Sequence, residues 1–356
     1  MGEELLAIDL FMGAGGSSIG LRDAGFKVVG ALDFDQVSCE TYKRYFEFEP
    51  ICDDLNKWSG ERILTHFGLK DTTIDLLVGC PPCQGFSSLR RTRDPTQSDE
   101  RRDLVEVFAD RVKHIKPRSV IFENVTGMLG ENNIKYFEQY LERMEVLGYK
   151  TRWDKVNAAD YGVPQTRKRV IAISVKGLEE KPDFPEKTHS RTKIEGKERW
   201  VTVKKVIGGL PPLQPGEASS EIYNHVARNH TEKVLNLIRH IPKDGGSRRS
   251  LPDELWLDCH KKLKKEKGRG AENIYGRMAW DAPSNTMTCR CTTPSSGRFL
   301  HPEQDRAITV REAARLQTFP DDYVFPESMG TSERLIGNAV PPKLMKVFGK
   351  KVLEYL

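Results

Sequence analysis

The feature that most constrains this chain is the alternation of short apolar runs and helical patterns over its first 175 residues. The apolar runs are rich in Val, Ile and Leu and do not alternate with polar residues, which is typical of strands buried on both faces of a parallel sheet. They are residues 5–10, 28–32, 74–78, 119–122 and 170–175. Between them, Ile134, Phe137, Leu141 and Met144 recur at helical spacing before Gly148. The pattern predicts an α/β fold with a doubly wound sheet.

The second half of the chain has a different character. Residues 186–300 carry 22 Lys and Arg against 13 Asp and Glu, a net charge of +9, whereas the remainder carries 34 against 38, a net charge of −4. Helical periodicity returns near residues 309–317 and 342–356. We therefore expect one domain from residues 1–180 plus 305–356 and a smaller, irregular domain at 181–304. The basic segment suggests a polyanionic partner, although a solvated Lys-rich surface would give the same charge count.

Composition and cysteine usage bear on the compartment of the protein. No run of 18 apolar residues is present, and the acidic N-terminal segment lacks the apolar stretch of a signal peptide. The seven cysteines form no dense framework, which is typical of a reducing compartment. We expect a cytoplasmic, nucleoid-associated protein without a membrane-spanning segment.

Unusual residues follow four of the predicted strands. A glycine-rich stretch at 13–16 follows the first strand, Asp33 the second, Cys83 the third and Glu123 the fourth. The carboxyl ends of strands in an open parallel sheet meet at one edge, where ligands bind. The sequence therefore predicts one site assembled from four strand ends.

The glycine-rich stretch and the acid that follows the second strand together indicate a nucleoside-binding site. Glycines permit tight turns and close approach of a ligand to the backbone, although this stretch is not the GxGxxG fingerprint. Asp33 could accept hydrogen bonds from both hydroxyls of a ribose, and Phe34 could lie against an adenine. Ordinary turn glycines and a helix-capping acid are the alternative for each residue taken alone.

The segment that contains Cys80 and Cys83 allows three interpretations. A redox Cys-x-x-Cys pair would normally open a helix, whereas the residues after Cys83 continue as a loop pattern. Half of a zinc site would need Cys289 and Cys291, whose one-residue spacing fits closed zinc patterns poorly, so no metal is expected. The third interpretation is a nucleophilic thiol at a strand end. Spacing alone favours the third only modestly.

Glu123 and the pair Arg167 and Arg169 are the remaining candidates. A carboxylate at the end of an apolar strand is costly to bury without a partner, and burial would let it present a proton to a base. Alternation would place Arg167 and Arg169 on one face of a strand, with Lys168 opposite, where two guanidiniums suit phosphate or a base carbonyl. A structural ion pair and a solvated strand edge are the alternatives.

These segments resemble the ordered motifs of the C5-cytosine DNA methyltransferases over nearly the whole chain. The matching segments are 9–16, Pro81-Pro82-Cys83-Gln84, Glu123-Asn124-Val125, Gln165-x-Arg167-x-Arg169, 311–320 and 337–341. The resemblance implies an S-adenosylmethionine-dependent methyltransferase (Rossmann-like) sheet with a target-recognition domain. It also implies transfer of a methyl group from S-adenosylmethionine to carbon 5 of cytosine in DNA.

The resemblance further implies a set of cofactor contacts. In particular, Asp33 would bind the ribose, Phe34 would stack on the adenine, and Asp54 and Leu55 would contact its edge. The full set is Asp9, Phe11, Gly13, Gly15, Gly16, Asp33, Phe34, Asp54, Leu55, Pro81, Leu104, Asn338, Ala339 and Val340. Phe34 takes a place often held by Trp in the family, and Pro81-Pro82 replaces a more common Phe-Pro.

The family's chemistry assigns roles to the catalytic candidates. Cys83 would add to C6 of cytosine as a thiolate, Glu123 would hydrogen-bond N3, and Arg169 would hold the O2 carbonyl, with Arg167 beside it in the same motif. This geometry implies that the target base is flipped out of the duplex. The expected DNA contacts are Gln84, Ser87, Arg90, Arg91, Lys261, Lys262 and Thr286.

The partners implied are double-stranded DNA and an independently acting restriction endonuclease of matching specificity, and we expect a monomer. The nearest rival is an RNA methyltransferase of the same family, whose branch tends to carry a Cys-Phe-Thr signature where this chain has Cys289-Arg290-Cys291-Thr292. A catalytically silent DNA-binding relative is disfavoured because Cys83, Glu123 and Arg169 are all present.

Overall fold

The computed structural model describes residues 4–82, 100–261 and 273–356, which form two compact units. Unit 1 comprises the chain up to Tyr161, Lys168–Lys187 and Val340–Leu356, and unit 2 comprises Gly162–Arg167 and Thr188–Ala339. Residues 305–339, which the sequence boundary joins to the first domain, therefore pack within unit 2. The assignment of residues 181–304 as a target-recognition domain stays a prediction.

Unit 1 is built on a sheet of seven strands within the described residues, in the order β3-β2-β1-β4-β5-β8-β6. The strands of the chain are β1 Leu5–Leu10, β2 Phe26–Asp33, β3 Ile51–Cys52, β4 Leu76–Gly79, β5 Ser119–Val125, β6 Tyr149–Asn157, β7 Gln165–Thr166, β8 Lys168–Lys176, β9 His189–Ser190, β10 Glu198–Arg199 and β11 Ser284–Asn285. Strand order reverses between β1 and β4, which confirms the doubly wound α/β sheet expected from the apolar runs.

Two features of the sheet differ from the sequence expectation. β8 runs antiparallel to β5 and to β6, so the run at 170–175 is not a parallel strand. β6 is an edge strand that apolar periodicity does not reveal, because most of its residues are exposed or half-buried. An edge strand contacts the core with few of its side chains, so its sequence resembles a polar loop.

The helices lie in the same two units. They are α1 Gly16–Ala24, α2 Gln36–Phe46, α3 Gly60–His66, α4 Glu100–Ile115, α5 Ile134–Val146, α6 Val203–Ile207, α7 Glu232–Arg239, α8 Asp258–Lys261, α9 Val310–Leu316, α10 Met329–Asn338 and α11 Pro342–Leu353. The predicted helices at 134–144, 309–317 and 342–356 are confirmed. No described helix is long and apolar enough to cross a membrane.

The core of unit 1 lies between the sheet and its helices. Phe108 of α4 and Phe122 of β5 are fully buried, and Phe122 stacks on Tyr140 of α5 at 4.5 Å between ring centroids. Gly79 ends β4 directly under α4, where an added Cβ would lie 2.2 Å from the Phe108 ring. This close approach fixes the end of β4, which is the strand that leads into the Cys80–Cys83 segment.

Unit 2 is held by buried charged groups as well as by apolar packing. Thr309 and Glu312 form a capping box at the start of α9, and both Glu312 oxygens accept bonds from Arg306 at 2.8 Å. Arg315 on the same helix donates to the carbonyl of Val206 in α6. Helix α9 therefore packs inside unit 2, which explains why residues 305–339 join this unit.

Candidate active site

The predicted strand-end site lies along one row of the unit 1 sheet. The pairing register of β1, β2, β4 and β5 brings the ends of these strands side by side. The residues one step beyond the shared pairing row are Phe11, Asp33, Cys80 and Glu123. Glu123 itself still lies inside β5, which continues to Val125, rather than after the strand. The row spans the point of reversed strand order, where ligands bind in sheets of this kind.

The loop between β1 and α1 is shaped by left-handed backbone at Phe11, Gly13 and Gly15, whose φ angles are 64°, 53° and 75°. The Phe11 amide donates to the carbonyl of Leu32 at 2.9 Å, which ties the loop to β2. An added Cβ at Gly15 would lie 2.6 Å from the Phe46 ring, so only glycine fits there. Gly16 then begins α1, so the chain turns sharply from strand to helix.

Asp9, predicted as a cofactor contact, is fully buried within β1. Its Oδ2 accepts hydrogen bonds from the hydroxyls of Ser17 at 2.6 Å and Ser18 at 2.5 Å, and Tyr42 donates to Ser18 at 3.1 Å. Within the described part of the chain its Oδ1 accepts no hydrogen bond. Burial raises the pKa of Asp9 to about 6, partly offset by the two serine bonds. In this arrangement Asp9 anchors the first turn of α1.

Asp33 is the last residue of β2 and Phe34 follows it, and the two side chains lie in contrasting environments. The Asp33 carboxylate is buried, and its two oxygens accept bonds from the amides of Gly13 and Asp35, each at 2.9 Å. Burial raises its pKa, and the amide bonds oppose that effect. Phe34 is 68% exposed, which is unusual for a phenylalanine. An acid held against the glycine loop beside an open aromatic ring fits a nucleoside.

The other predicted adenosine contacts lie in and near the turn after β3. Asp54 accepts a bond from the amide of Asn56 at 2.9 Å and begins a short 3₁₀ turn, Leu55–Lys57. The side chain of Leu55 is buried. Leu104 is half-buried on α4. Their contact with a cofactor stays a prediction.

Glu123 and Arg169 form the most enclosed charged pair of the strand-end row. Glu123 is 7% exposed, and its Oε1 lies 2.9 Å from Nε of Arg169 on the neighbouring strand β8. Oε1 nevertheless accepts no hydrogen bond of normal geometry among the described residues, so the contact is an ion pair and not a directed hydrogen bond. Arg169 also donates from Nη1 to the carbonyl of Lys168 at 2.8 Å.

The residue after Glu123 connects it to the cysteine segment. Asn124 donates from Nδ2 to the carbonyl of Pro81 at 3.2 Å. Burial raises the pKa of Cys80 well above its ordinary value, with Glu123 and Asp9 contributing, so its thiol stays protonated. The predicted nucleophile Cys83 and the predicted DNA contacts Gln84, Ser87, Arg90, Arg91 and Lys262 lie outside the described residues.

Unit 2 contains the first half of the Gln-x-Arg-x-Arg segment. Gln165 is buried, accepts from the amide of Met287 at 2.9 Å and donates to Gln317 at 2.6 Å. Arg167 lies between β7 and β8, is 1% exposed, and donates to the carbonyls of Met287, Gly337 and Ala339 at 3.0–3.1 Å. The expectation that Arg167 and Arg169 line one face of a single strand is therefore wrong, because Arg167 precedes β8 and its guanidinium is held by backbone.

Three further predicted residues lie in unit 2. Thr286 follows β11, and its hydroxyl donates to the carbonyl of Thr166 at 2.9 Å. Asn338 is exposed, and its Oδ1 accepts from the Cys289 thiol at 3.0 Å. Lys261 is exposed and pairs with Asp258 at 2.5 Å. Val340, the last predicted cofactor contact, is buried in unit 1.

The sequence matches the family of C-5 cytosine-specific DNA methylases over residues 5–354. The chain belongs to this family. It is an enzyme, a DNA (cytosine-5)-methyltransferase, and the family and fold imply use of S-adenosylmethionine. The row of strand ends in unit 1 is accordingly the candidate active site of a DNA methylase.

Individual relatives resemble this methylase along nearly its full length. The Type II methyltransferase M1.HphI of Haemophilus parahaemolyticus is 35% identical over 98% of this chain and 87% of its own. The Type II methylase M.HgiDII of Herpetosiphon aurantiacus is 34% identical over 98% and 95%. An E. coli structure described as a prophage-encoded DNA modification methyltransferase aligns with a TM-score of 0.71 at 27% identity, over 99% of both chains.

Sequence reasoning missed several residues that shape the site of this methylase. Ser17 and Ser18 hold Asp9, and Asn124 holds Pro81, whereas the resemblance marked Asn124 only as part of a motif. The serines directly follow the glycine-rich loop, so their position was a usable signal. Asn124 gave no such signal, because its partner lies 43 residues away.

Proposed function

We propose that this methylase methylates C5 of a flipped-out cytosine in a specific short duplex sequence, through a covalent bond between Cys83 and C6. The observation that supports this most directly is the buried Glu123 beside Arg169, on the strand next to the one that leads into the Pro81–Cys83 segment. The bond from Asn124 to the Pro81 carbonyl tethers that segment to the same strand. An acid on the strand next to the one that precedes Pro81 suits catalysis of addition to a base.

We propose S-adenosylmethionine as the cofactor, held by the Phe11–Gly16 loop, Asp33, Phe34 and the Asp54-Leu55 turn. When bound, it supplies a methyl group activated by a sulfonium. The exposed ring of Phe34 offers an apolar face to adenine, and each Asp33 oxygen, already accepting one amide, retains a lone pair for a ribose hydroxyl. Asp9 would act indirectly, by holding α1 and the loop before it.

The chemistry assigned to the chain's own residues follows from their charges. The Cys83 thiolate adds to C6, and electron density moves toward C5 and N3 of the base. Glu123 shares a proton with N3 in a hydrogen bond and stabilises the charge that develops there. Arg169 holds Glu123 in place and, by the family resemblance, the O2 carbonyl. C5 then takes the methyl group, a base or a water molecule takes the C5 proton, and the electrons of that bond re-form the C5–C6 double bond and expel the Cys83 thiolate.

The target base must leave the duplex stack to reach this site, so base flipping is part of the proposal. We assign DNA recognition to residues 181–304, whose net positive charge suits phosphate contacts. Thr286, Lys261 and Lys262 are the proposed contacts there, with Gln84, Ser87, Arg90 and Arg91 after the nucleophile. Arg167 and Gln165 would hold the backbone near residues 287 and 337–339 in place and would not contact the DNA.

We also propose a restriction-modification role, because both of the bacterial relatives described above are named Type II enzymes. Such enzymes are expected to act as monomers, beside an endonuclease that recognises the same sequence independently. RNA is the weaker proposal for the substrate, because this chain has Cys289-Arg290-Cys291-Thr292 where the RNA-methylating branch of the family tends to carry a Cys-Phe-Thr signature.

The decisive test is transfer of labelled methyl groups from S-adenosylmethionine to mixed-sequence duplex DNA and, separately, to tRNA. Bisulfite sequencing of the DNA product should map the label to cytosines within one short sequence. Cys83→Ala should abolish transfer while leaving cofactor binding near normal. Label in tRNA alone would overturn the substrate, and transfer by Cys83→Ala would overturn the covalent mechanism.

A further inference from the structure

The turn after β3 is organised by one carboxylate that no motif marks, Asp53. Its Oδ1 accepts bonds from the amide of Asp54 at 2.8 Å and from Nζ of Lys57 at 2.9 Å. Its Oδ2 accepts from Nε1 of Trp58 at 3.1 Å. A single side chain therefore bonds to both ends of the 3₁₀ turn Leu55–Lys57.

The same residue connects this turn to the acid at the end of β2. The Asp53 amide donates to the carbonyl of Asp33 at 3.1 Å, next to the pairing of Asp33 with Cys52. Asp33 is the proposed ribose ligand, and Asp54 with Leu55 are the proposed contacts of the adenine edge. Asp53 thus connects the two halves of the proposed adenosine site. Its amide bonds to Asp33, the ribose half, and its peptide bond leads to Asp54, the adenine half.

Asp53 is ionised at neutral pH. The bond from Lys57 lowers its pKa to about 2, with further contributions from Trp58 and the Asp54 amide. Its oxygens are already engaged within the turn by three donors. Asp53 is therefore better arranged to orient its neighbours than to bind a ligand directly.

Other contacts hold the turn from outside but do not replace this bond. Arg111 donates to the Leu55 carbonyl at 3.0 Å, and Arg62 donates to the Lys57 carbonyl at 2.9 Å while lying 4.0 Å from the Trp58 ring centroid. Among the described residues, the Asp54 amide has no acceptor other than Asp53. Loss of Asp53 should therefore leave the turn folded, with Asp54 still bonded to Asn56, but free the Asp54 amide and loosen its orientation.

We propose that Asp53 is a positioning residue that sets the affinity for the adenosine part of the cofactor by orienting Asp54 and Leu55. This inference rests on the cofactor site described under the proposed function. It predicts a change in cofactor affinity without a comparable change in the chemical step, because Asp53 lies in the turn after β3, whereas the reacting base is assigned to Glu123 on β5.

The test is the affinity of the full-length protein for S-adenosylhomocysteine by titration calorimetry, together with steady-state kinetics. Asp53→Ala should weaken binding about tenfold, because it removes the three hydrogen bonds that organise the turn, and their loss reaches the ligand only in part. The KM for S-adenosylmethionine should rise in parallel, while kcat and the KM for DNA change less than about twofold. Asp53→Asn keeps one acceptor oxygen, so its affinity for S-adenosylhomocysteine should lie between those of the wild type and Asp53→Ala.

A matched control is Asp75→Asn in the same unit. Asp75 likewise accepts from a backbone amide, that of Leu6 at 2.8 Å, and from a cation, Arg118 at 2.9 Å, but it precedes β4. This variant should lower the melting temperature and leave cofactor affinity unchanged. Lys57→Met and Trp58→Phe provide second variants that remove one partner of Asp53 each, should Asp53→Ala fail to fold.

Comparing Asp33→Ala with Asp53→Ala distinguishes a failure of the positioning role of Asp53 from a failure of the proposed cofactor site. If Asp33→Ala weakens binding and Asp53→Ala, or the two partner variants, bind as the wild type does, the positioning role is wrong and the site stands. If Asp33→Ala binds normally, the proposed cofactor site fails first. A parallel loss of kcat, affinity and melting temperature in Asp53→Ala would show a general structural role and would also overturn the inference.

Discussion

The strand-end site of unit 1 and the Gln165–Arg167 segment of unit 2 use similar polar side chains in opposite ways. In unit 1, Glu123 Oε1 and Asp9 Oδ1 accept no hydrogen bond within the described residues, and Phe34 presents an exposed ring. In unit 2, the side chains of Gln165 and Arg167 are buried and direct hydrogen bonds to backbone. The Gln-x-Arg-x-Arg segment itself divides, because Arg169 pairs with Glu123 in unit 1 whereas Gln165 and Arg167 bond to backbone in unit 2.

The difference indicates how such residues can be told apart. A buried polar atom that accepts no hydrogen bond is costly, and a bound ligand or reacting group is one way to satisfy it. A buried guanidinium that satisfies several carbonyls instead fixes segments that are distant in sequence, here residues 287 and 337–339. Membership in a motif does not tell whether a residue acts in the reaction or holds the fold together. Four substitutions test which role each residue has.

The largest effect is expected for Arg167→Met. The carbonyls of Met287 and Gly337 would lose this donor, whereas that of Ala339 would keep its bond from Gln317 at 2.6 Å. We expect the free energy of unfolding to fall by about 2 to 5 kcal/mol, measured by urea denaturation. Lys168→Met, at the exposed neighbour, should change it by less than about 0.5 kcal/mol. Normal stability with lost activity would place Arg167 among the catalytic residues.

Glu123→Gln tests the opposite role. The substitution keeps the size of the side chain but removes the carboxyl group that would share a proton with N3 of the base, so kcat should fall by about 10²- to 10³-fold. The melting temperature should fall by only a few degrees, because Arg169 loses its charged partner but keeps its bond to the Lys168 carbonyl. Exposed Glu131→Gln is the control. A kcat within threefold of wild type would remove Glu123 from the mechanism.

Asp9 should make stability depend on pH in an unusual direction. Burial raises its folded-state pKa from 3.8 to about 6, so the folded protein binds this proton more tightly than the unfolded chain does. The stability contributed by that proton is present at low pH and is lost as pH rises through about 6. The stability of wild type relative to Asp9→Asn should therefore fall by about 1 kcal/mol between pH 5 and 7. No difference in slope would show that Asp9 does not titrate there.

The smallest effect is expected for Phe34→Ala. The exposed ring contributes little to folding, but stacking on adenine should contribute to binding, so affinity for S-adenosylhomocysteine should fall about three- to tenfold. Tyr223→Ala, which removes an aromatic ring that is 70% exposed in unit 2, is the control. An equal response of the two variants would mean that exposure of Phe34 does not mark the cofactor site.

Much of the unit 1 site could be predicted from local sequence. The glycine-rich loop follows β1 and Asp33 ends β2, close to where the apolar runs and motifs indicated, because strand ends are encoded by residues adjacent in the chain. Glu123 instead lies two residues before the end of β5, because this strand is longer than its apolar run. The role of Asp53 could not be predicted, since its neighbours Asp54, Lys57 and Trp58 show no periodicity and only the folded turn brings them to one carboxylate.

The sequence by itself determined the alternating α/β order, the family and the positions of the strand-end residues, because apolar burial and turn chemistry act over short distances. Only the tertiary structure decided that β8 runs antiparallel, that residues 305–339 join unit 2, and that Arg167 and Arg169 have separate partners. An apolar run predicts burial but not strand direction. The carbonyls that hold Arg167 lie 120–172 residues away, and hydrogen bonds over such separations exist only in the folded chain.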